Sequence, residues 1–430
     1  MTLLIHVLSH LQRLPFVFPI VIILVSSFTH IWNPIGFPNI NIDEGIYMLR
    51  AVQILNGNEY NETIFYDHPY FGPIVLASLL KVVGYPDIAS PNMNELQSFE
   101  LLYMIPRVWM GVLGVLDTML IYFIAKYQYN RRVGLIASLL FATMPLTWMT
   151  RRIYLESLLL PFLLSSILLL VYVRWCSQKR KKPDIRENAQ YPSIGCLFRP
   201  AIIISSGVFL GLAIFTKIPI VSIIPLSLFL VYHITKNLGL IGLFMLPIVA
   251  IPLIWPLSAI YDGEFDSWKA DVFMQMNRSN GSMANSLYEN FLIDPVLLIL
   301  SLAGIVLAVT KRDLFLLLWI LPFLFIFIFV IDYVQWFHLM PLMGMFCISS
   351  AVFIEYLLIK LKKLKVFLTC VIASILVFGL CSTVILISTN VSSFQFHTMA
   401  FMGQKILGNT TTYPNFPDSI TTTNEDGDDL

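Results

Sequence analysis

The sequence predicts an all-α polytopic membrane protein of about eleven transmembrane helices, and three observations carry that expectation. First, 57% of the 430 residues are hydrophobic and only 12% are charged, where a soluble domain carries about 25% charge. Mean hydropathy is correspondingly high, at +0.78. Second, uncharged apolar runs long enough to span a bilayer recur near 15–32, 101–124, 133–149, 154–173, 200–216, 218–235, 238–260, 293–309, 314–331, 338–358 and 366–388. Third, lysines and arginines segregate into alternate loops.

The first run has no small-residue cleavage site after it, so it is read as an uncleaved signal-anchor. The fifth and sixth runs are divided by Lys217 and Pro219, and the seventh is rich in proline. Orientation follows from the loops. With a cytoplasmic N-terminus, 18 of the 27 cations fall inside and 21 of the 26 acids outside, a bias that favours this topology. It puts the 33–100 loop, the 261–292 loop and the C-terminus on the far side. Residues 1–390 then form one transmembrane domain. The Thr-rich, acidic stretch 391–430 reads as a disordered extracytoplasmic tail.

Other features narrow the class. Cys176 and Cys196 fall in a cytoplasmic loop and Cys347, Cys370 and Cys381 in spans, so no disulfide framework is implied. Glycosylation triplets at Asn61, Asn277, Asn280, Asn390 and Asn409 all lie on the outer side. The KRKKPDIREN loop suits contact with anionic lipid heads. A net charge of +1 gives no sign of nucleic acid as a partner. No internal repeat is evident, which disfavours transporters built from duplicated halves.

The 33–100 loop is the informative one. It carries adjacent carboxylates, Asp43 and Glu44, just beyond the first span, where ionised groups need a compensating partner. A helix is expected from Asp43 to Leu55, stopped by Asn56-Gly57. Its wheel places Asp43, Tyr47 and Arg50 on one face and Met48, Leu49, Val52 and Leu55 opposite. Such a helix is expected to lie in the interface, apolar side down, with its polar face toward water. A second short helix follows YDHPYFGP and runs to about Val83, with Gly84-Tyr85-Pro86 as its stop.

Six outer cations, Arg50, Lys81, Arg107, Arg151, Arg152 and Lys217, sit at or near span ends. Snorkelling anchors account for such positions one by one. Together they form a basic rim at headgroup height, which suits a lipid-linked phosphate. A nearby acid suits proton removal from an acceptor. Arg152 and Glu156 are four apart and are expected to pair along one helix face. His338, beside Trp336, reads as an interfacial belt residue or a phosphate ligand, and His68 as a turn residue or a substrate contact. Asp117 lies near mid-membrane, protonated or paired, and is assigned no chemistry.

Nucleotide-binding glycine loops, a nucleophile elbow and zinc-spaced His/Cys clusters are missing from the sequence. No Asp-x-Asp motif falls in an outer loop other than in the tail, so a metal-bound sugar nucleotide is not indicated. A phosphorylated donor must then come from the membrane. Cofactor need stays open: carboxylates and water leave room for Mg²⁺ or Mn²⁺, with no evident ligand set.

In order, DEGIYMLRA, HPYFGPIVLASLLKVVG, RVWMGVLGVLDTMLIYFIA, RRVGLIASLLFATMPL, RRIYLESLLLPF, GVFLGLAIFTKIP and HLMPLMGMF resemble the membrane-embedded C-type (GT-C) glycosyltransferases. The nearest branch is the protein O-mannosyltransferase and aminoarabinose-transferase-like group, over roughly residues 15–360. The family's acidic pair matches Asp43-Glu44, and its His-Pro stretch matches His68-Pro69, with Tyr70 replacing a second proline. Its second-span arginine matches Arg107, and its second acid matches Glu156 in place of the usual aspartate. Thr216-Lys217 and His338 match its Thr-Lys turn and late histidine.

The resemblance implies a GT-C fold and an inverting transferase at the outer face. It would take mannose or another hexose from a polyprenyl- or dolichyl-phosphate monosaccharide to a hydroxyl of a protein, lipid or glycan. In that reading Asp43, Glu44 and Glu156 form the catalytic set, and Arg107, Arg151, Arg152, Lys217 and His338 bind the donor phosphate. Tyr47, Arg50 and His68 contact substrate. The rival from another class is a transporter or flippase of lipid-linked sugars. The protein is expected in the cell membrane of a prokaryote, N-terminus cytoplasmic and C-terminus extracytoplasmic.

Overall fold

In lipid, every backbone amide must find its partner within the protein, and the apolar runs meet that demand as helices. The computed structural model describes residues 17–57, 66–85, 95–181, 198–278, 281–331 and 333–388. Fifteen α-helices account for most of them: α1 (Val17–Ile31), α2 (Ile42–Leu55), α3 (Phe71–Val82), α4 (Glu95–Gln128), α5 (Arg131–Thr143), α6 (Leu155–Lys181), α7 (Arg199–Thr216), α8 (Ile224–Thr235), α9 (Leu238–Tyr261), α10 (Phe265–Met276), α11 (Met283–Ile293), α12 (Pro295–Lys311), α13 (Leu314–Phe329), α14 (Met343–Lys360) and α15 (Lys365–Ile387). The KRKKPDIREN loop lies largely outside the described residues. So do Asn61, Asn280, Asn390, Asn409 and the 391–430 tail.

Each of the eleven apolar runs coincides with helix, but not every run forms a single helix long enough to span. Among the described residues, seven helical stretches are long and apolar enough to cross a membrane, or nine if each of two bent pairs counts once. The remaining runs are shortened or broken. The apolar part of α1 covers only Phe18–Ile31, α5 bends by 70° into a 3-10 turn, and α12 meets α13 at 116°.

Three 3-10 turns matter most for position: Pro145–Arg151, Ile218–Ile223 and Trp336–Leu342. Each contains a proline that cannot continue an α-helical ladder (Pro145, Pro219 and Pro341). Ring contacts join them at one end of the bundle. Trp148 lies 5.7 Å from Trp336, and Lys217 Nζ lies 5.5 Å from the Phe337 ring. Interrupted helices at this depth are tolerated where protein surrounds them, and these breaks deliver Arg151, Lys217 and His338 to one region.

The two helices expected in the 33–100 loop are present. Asn41 caps α2, accepting from Asp43 N at 3.1 Å. Asn56 closes the helix, and Gly57 and Gly84 follow α2 and α3 at φ +62° and +92°, where only glycine is at ease. One expectation needs correcting. Met48, Ala51 and Val52 do not face lipid; they pack into the main core with Leu76, Ala77 and Leu80 of α3. Tyr47 is buried as well, so the polar face of α2 meets a protein cavity, not open water. Covering helices supply the reason. Tyr66 N donates to Asp271 Oδ2 at 2.8 Å and its hydroxyl to Glu264 Oε2 at 2.5 Å, tying the segment before α3 to α10 and its approach.

Close helix contact elsewhere depends on small residues. On α7, Gly207 and Gly211 are four apart and face the backbone of α9. A Cβ at Gly211 would stand 2.6 Å from the Pro247 carbonyl oxygen. Replacing Gly211 with leucine must push α9 away, at a cost of about 2 kcal/mol. The expected outcome is a melting temperature several degrees lower in detergent, measured against wild type.

Candidate active site

Glu44 is fully buried and is the most heavily bonded carboxylate among the described residues. Arg107 grips it with two donors, Nε to Oε2 at 3.0 Å and Nη2 to Oε1 at 2.9 Å. Arg152 Nη1 adds a bond to Oε1 at 3.1 Å, and Ile153 N one to Oε2 at 3.2 Å. Glu44 also closes the capping box of α2 by accepting from Asn41 N at 3.2 Å. Burial pushes its carboxyl up, but Arg107 and Arg152 outweigh that and hold it below the ordinary glutamate value.

The same arginines seat the chain that leads into α2. Arg107 Nη1 donates to the carbonyls of Pro34 at 3.0 Å and Pro38 at 2.6 Å. Arg152 reaches Asn39 twice, at 2.6 Å to its carbonyl and 2.9 Å to its side chain. Arg151 donates to the carbonyls of Trp32 and Asn33. Three guanidiniums read from sequence as phosphate ligands thus hold one carboxylate and six backbone or amide oxygens, while Arg151 Nε and Nη1 and Arg152 Nε have no hydrogen-bond partner among the described residues. None of the three lines the cavity.

That cavity holds about 710 Å³. Asp43, Tyr47, Arg50, His68, Lys217 and His338 all line it, as the sequence pattern anticipated. Its remaining polar wall, Asp67, Gln275, Arg278 and Tyr333, was not anticipated. Ile218, Val221, Phe327, Val330 and Ile331 make an apolar wall. The Asp67 carboxylate pairs with Arg50 at 2.7 Å. Burial pushes Asp67 up, but His68 and Arg50 prevail and leave it below its ordinary value.

The remaining groups have distinct states. Asp43 is pushed above the ordinary aspartate value by burial, with Lys217 and Arg278 opposing. Burial pushes His68 down to about 3, so its imidazole is neutral at physiological pH. Tyr47 is pushed up by burial and by the nearby Glu156. His338 Nδ1 accepts from Gln335 N at 3.1 Å, which places that ring's proton on Nε2. Arg278 stacks over Tyr333 at 4.3 Å and bonds Gln275 at 3.1 Å.

Glu156 does not pair with Arg152. Arg152 is in extended backbone, φ −78° and ψ 151°, and α6 starts only at Leu155, so the expected helical i, i+4 spacing does not exist there. Glu156 forms its ion pair with Lys217, which ends α7. Among the described residues, no group of three or more His, Cys, Asp or Glu side chains is arranged to hold a metal ion.

A family model described as dolichyl-phosphate-mannose-protein mannosyltransferase matches residues 20–260. Among solved structures, the chain is similar to ArnT from Cupriavidus metallidurans in the apo state. Identity is 15%, over 93% of this chain and 78% of that one, with a TM-score of 0.55. ArnT bound to undecaprenyl phosphate aligns at 14% identity over 91% and 77%, with a TM-score of 0.52. The Archaeoglobus fulgidus oligosaccharyltransferase in complex with zinc and sulfate aligns at 14% identity over 87% of this chain, with a TM-score of 0.50. The chain spans about half the length of that archaeal enzyme, 53%. Identities this low speak to the fold alone, which is GT-C. Among curated proteins, none matches significantly.

Exchanging Glu44 for glutamine would leave Arg107 and Arg152 buried without their carboxylate, at a cost of about 3–5 kcal/mol. A large drop in melting temperature is expected. Because the folded-state value of Glu44 is depressed, its contribution is present at neutral pH. It is lost as pH falls below the ordinary glutamate value of 4.5. Wild type should therefore lose stability on acidification more steeply than Glu44→Gln, as read by melts across pH 3.5–7.

Proposed function

The chain belongs to the dolichyl-phosphate-mannose-protein mannosyltransferase family, and from that premise we propose that it transfers a hexose, mannose or a close relative, from a polyprenyl-phosphate carrier to an acceptor hydroxyl. The acceptor is a protein, lipid or glycan at the outer face of the membrane. One observation carries the reading: a single cavity of about 710 Å³ presents Asp43, the cations Lys217 and Arg278, and an apolar wall from the 218–223 turn and the end of α13. Such a cavity matches an amphiphile whose phosphate joins a sugar to an isoprenoid. Undecaprenyl phosphate bound to ArnT, a protein of the same fold, supports a carrier of this class.

In this mechanism Asp43 accepts the proton of the acceptor hydroxyl as its oxygen attacks the anomeric carbon. The bond from that carbon to the phosphate oxygen breaks, and its electron pair leaves with the phosphate. Attack opposite the leaving group inverts the anomeric centre and needs one base, unlike the paired carboxylates of glycosidases. Lys217 and Arg278 neutralise the leaving phosphate, so no general acid is required. His338 and the neutral His68 supply hydrogen bonds, and Tyr47 and Arg50 border the sugar. Arg107, Arg151 and Arg152 position the base through Glu44 and the 32–41 segment without touching the donor.

Burial disfavours the bare carboxylate of Asp43 and so raises its proton affinity, which makes it the stronger base for this task. The segregation of cations between loops supports a cytoplasmic N-terminus and a site on the extracytoplasmic side. Residues 1–390 form the transferase domain and 391–430 its outer tail.

Asp43→Asn is expected to lower transfer from a polyprenyl-phosphate sugar in proteoliposomes by about a thousandfold, with membrane insertion intact. The wild-type rate should fall as pH drops through a value above 3.8, the ordinary one for aspartate. Full activity in the variant would remove Asp43 from the role of base. Donor translocation into vesicles without transfer would favour a flippase.

A further inference from the structure

Glu44 and Glu156 are both buried and both ion-paired, yet they are built in opposite ways. Both oxygens of Glu44 are bonded, and its partners are rigid guanidinium forks and backbone amides. Glu156 makes a single-point contact, Oε1 to Lys217 Nζ, while its Oε2 has no hydrogen-bond partner among the described residues. Its one partner is a lysine, a compact charge on a flexible stem that exchanges ligands easily. Lys217 lines the cavity and Glu156 stands behind it.

The chemistry of the transfer gives this arrangement a purpose. The donor is a phosphodiester with one negative charge. Cleavage of the sugar–phosphate bond leaves a monoester, which carries about −1.5 to −2 near neutral pH. Cations tuned to help the leaving group will therefore hold the product more tightly than the donor, and turnover would stall on the spent carrier.

Resting on the transferase reading above, we propose that Glu156 competes with the lipid-borne phosphate for Lys217, and that this competition loosens the polyprenyl-phosphate product and speeds its release. While phosphate is held, Lys217 leans toward it. As the product withdraws, the carboxylate reclaims the ammonium, so no bare charge is left in the dry wall. Glu156 is then a positioning residue acting through Lys217, distinct from the catalytic base.

The test uses the full chain in nanodiscs with undecaprenyl phosphate as probe. Glu156→Gln removes the competitor and is expected to bind the probe roughly tenfold more tightly than wild type. In the transfer reaction it should show a burst, the first turnover outrunning the steady state. The double variant Glu156→Gln/Lys217→Met should bind no more tightly than Lys217→Met alone, which assigns the effect to the pair. Glu156→Asp keeps the charge but stretches the contact. It is expected to tighten binding by a smaller factor, and it serves if the glutamine variant does not fold. Unchanged or weaker binding in Glu156→Gln, or in Glu156→Asp where only that variant folds, overturns the inference, as does tightening that survives without Lys217. Failure of the wild type to bind undecaprenyl phosphate would instead overturn the transferase reading itself, a distinct result.

Discussion

The site rests on one buried carboxylate held between two guanidiniums. Glu44 lies on the first turn of α2, Arg107 on α4, and Arg152 just before α6, so a single ion cluster joins three elements distant in sequence. Removing three charges from water is costly, and the mutual attraction repays that only with near-ideal geometry and satisfied hydrogen bonds. Here the carboxylate is satisfied: both Glu44 oxygens are bonded, and further Nη donors of the two arginines go to Pro34, Pro38 and Asn39, while Arg152 Nε has no hydrogen-bond partner among the described residues. What the cluster supplies is position more than net stability. It fixes where the chain enters α2, and with it the direction in which the preceding residue points.

That neighbour is Asp43. Successive residues on a helix are about 100° apart, so adjacent carboxylates cannot share a surroundings. With Glu44 turned into the protein against the arginines, Asp43 is turned toward the cavity. The two acids consequently diverge in state as well as direction. Salt-bridging depresses Glu44, and burial with only partial compensation raises Asp43. An acidic pair that looks redundant in sequence is thus one anchor, Glu44, and one cavity-lining acid, Asp43.

Much of this was legible in advance, for identifiable reasons. Apolar run length gave the helices, and Gly57 and Gly84 gave the ends of α2 and α3, because these signals are local. The face of α2 carrying Asp43, Tyr47 and Arg50 was also legible, since helical period alone sets it. Ion-pair partners were not. The pairing of Glu156 with Arg152 assumed continuous helix, and the extended backbone at Arg152 removed the premise. Arg278 escaped notice because it lies in mid-loop, far from any span end, and comes to the cavity only through the folding of α10, which is tied to the segment before α3. The destination of Arg107, Arg151 and Arg152 was equally hidden, because position at a membrane boundary looks the same for a lipid-phosphate ligand and for a clamp on carbonyl oxygens.

The ionic groups also show how cations can be gathered around a cavity with little unmatched charge. Bare cations at the edge of a bilayer are expensive, so most of the site's positive charge is matched by acids of the chain. Arg50 meets Asp67, Lys217 meets Glu156, and Arg107 and Arg152 meet Glu44. These pairs differ in how firmly they are made, and that difference sorts structure from chemistry. Multidentate pairs with backbone support fix the position of their cations. The single-point pair at the wall of the cavity leaves Lys217 freer to move. The number of bonds that each acid makes therefore says more about how firmly its cation is held than the place of that cation in the sequence relative to a span end.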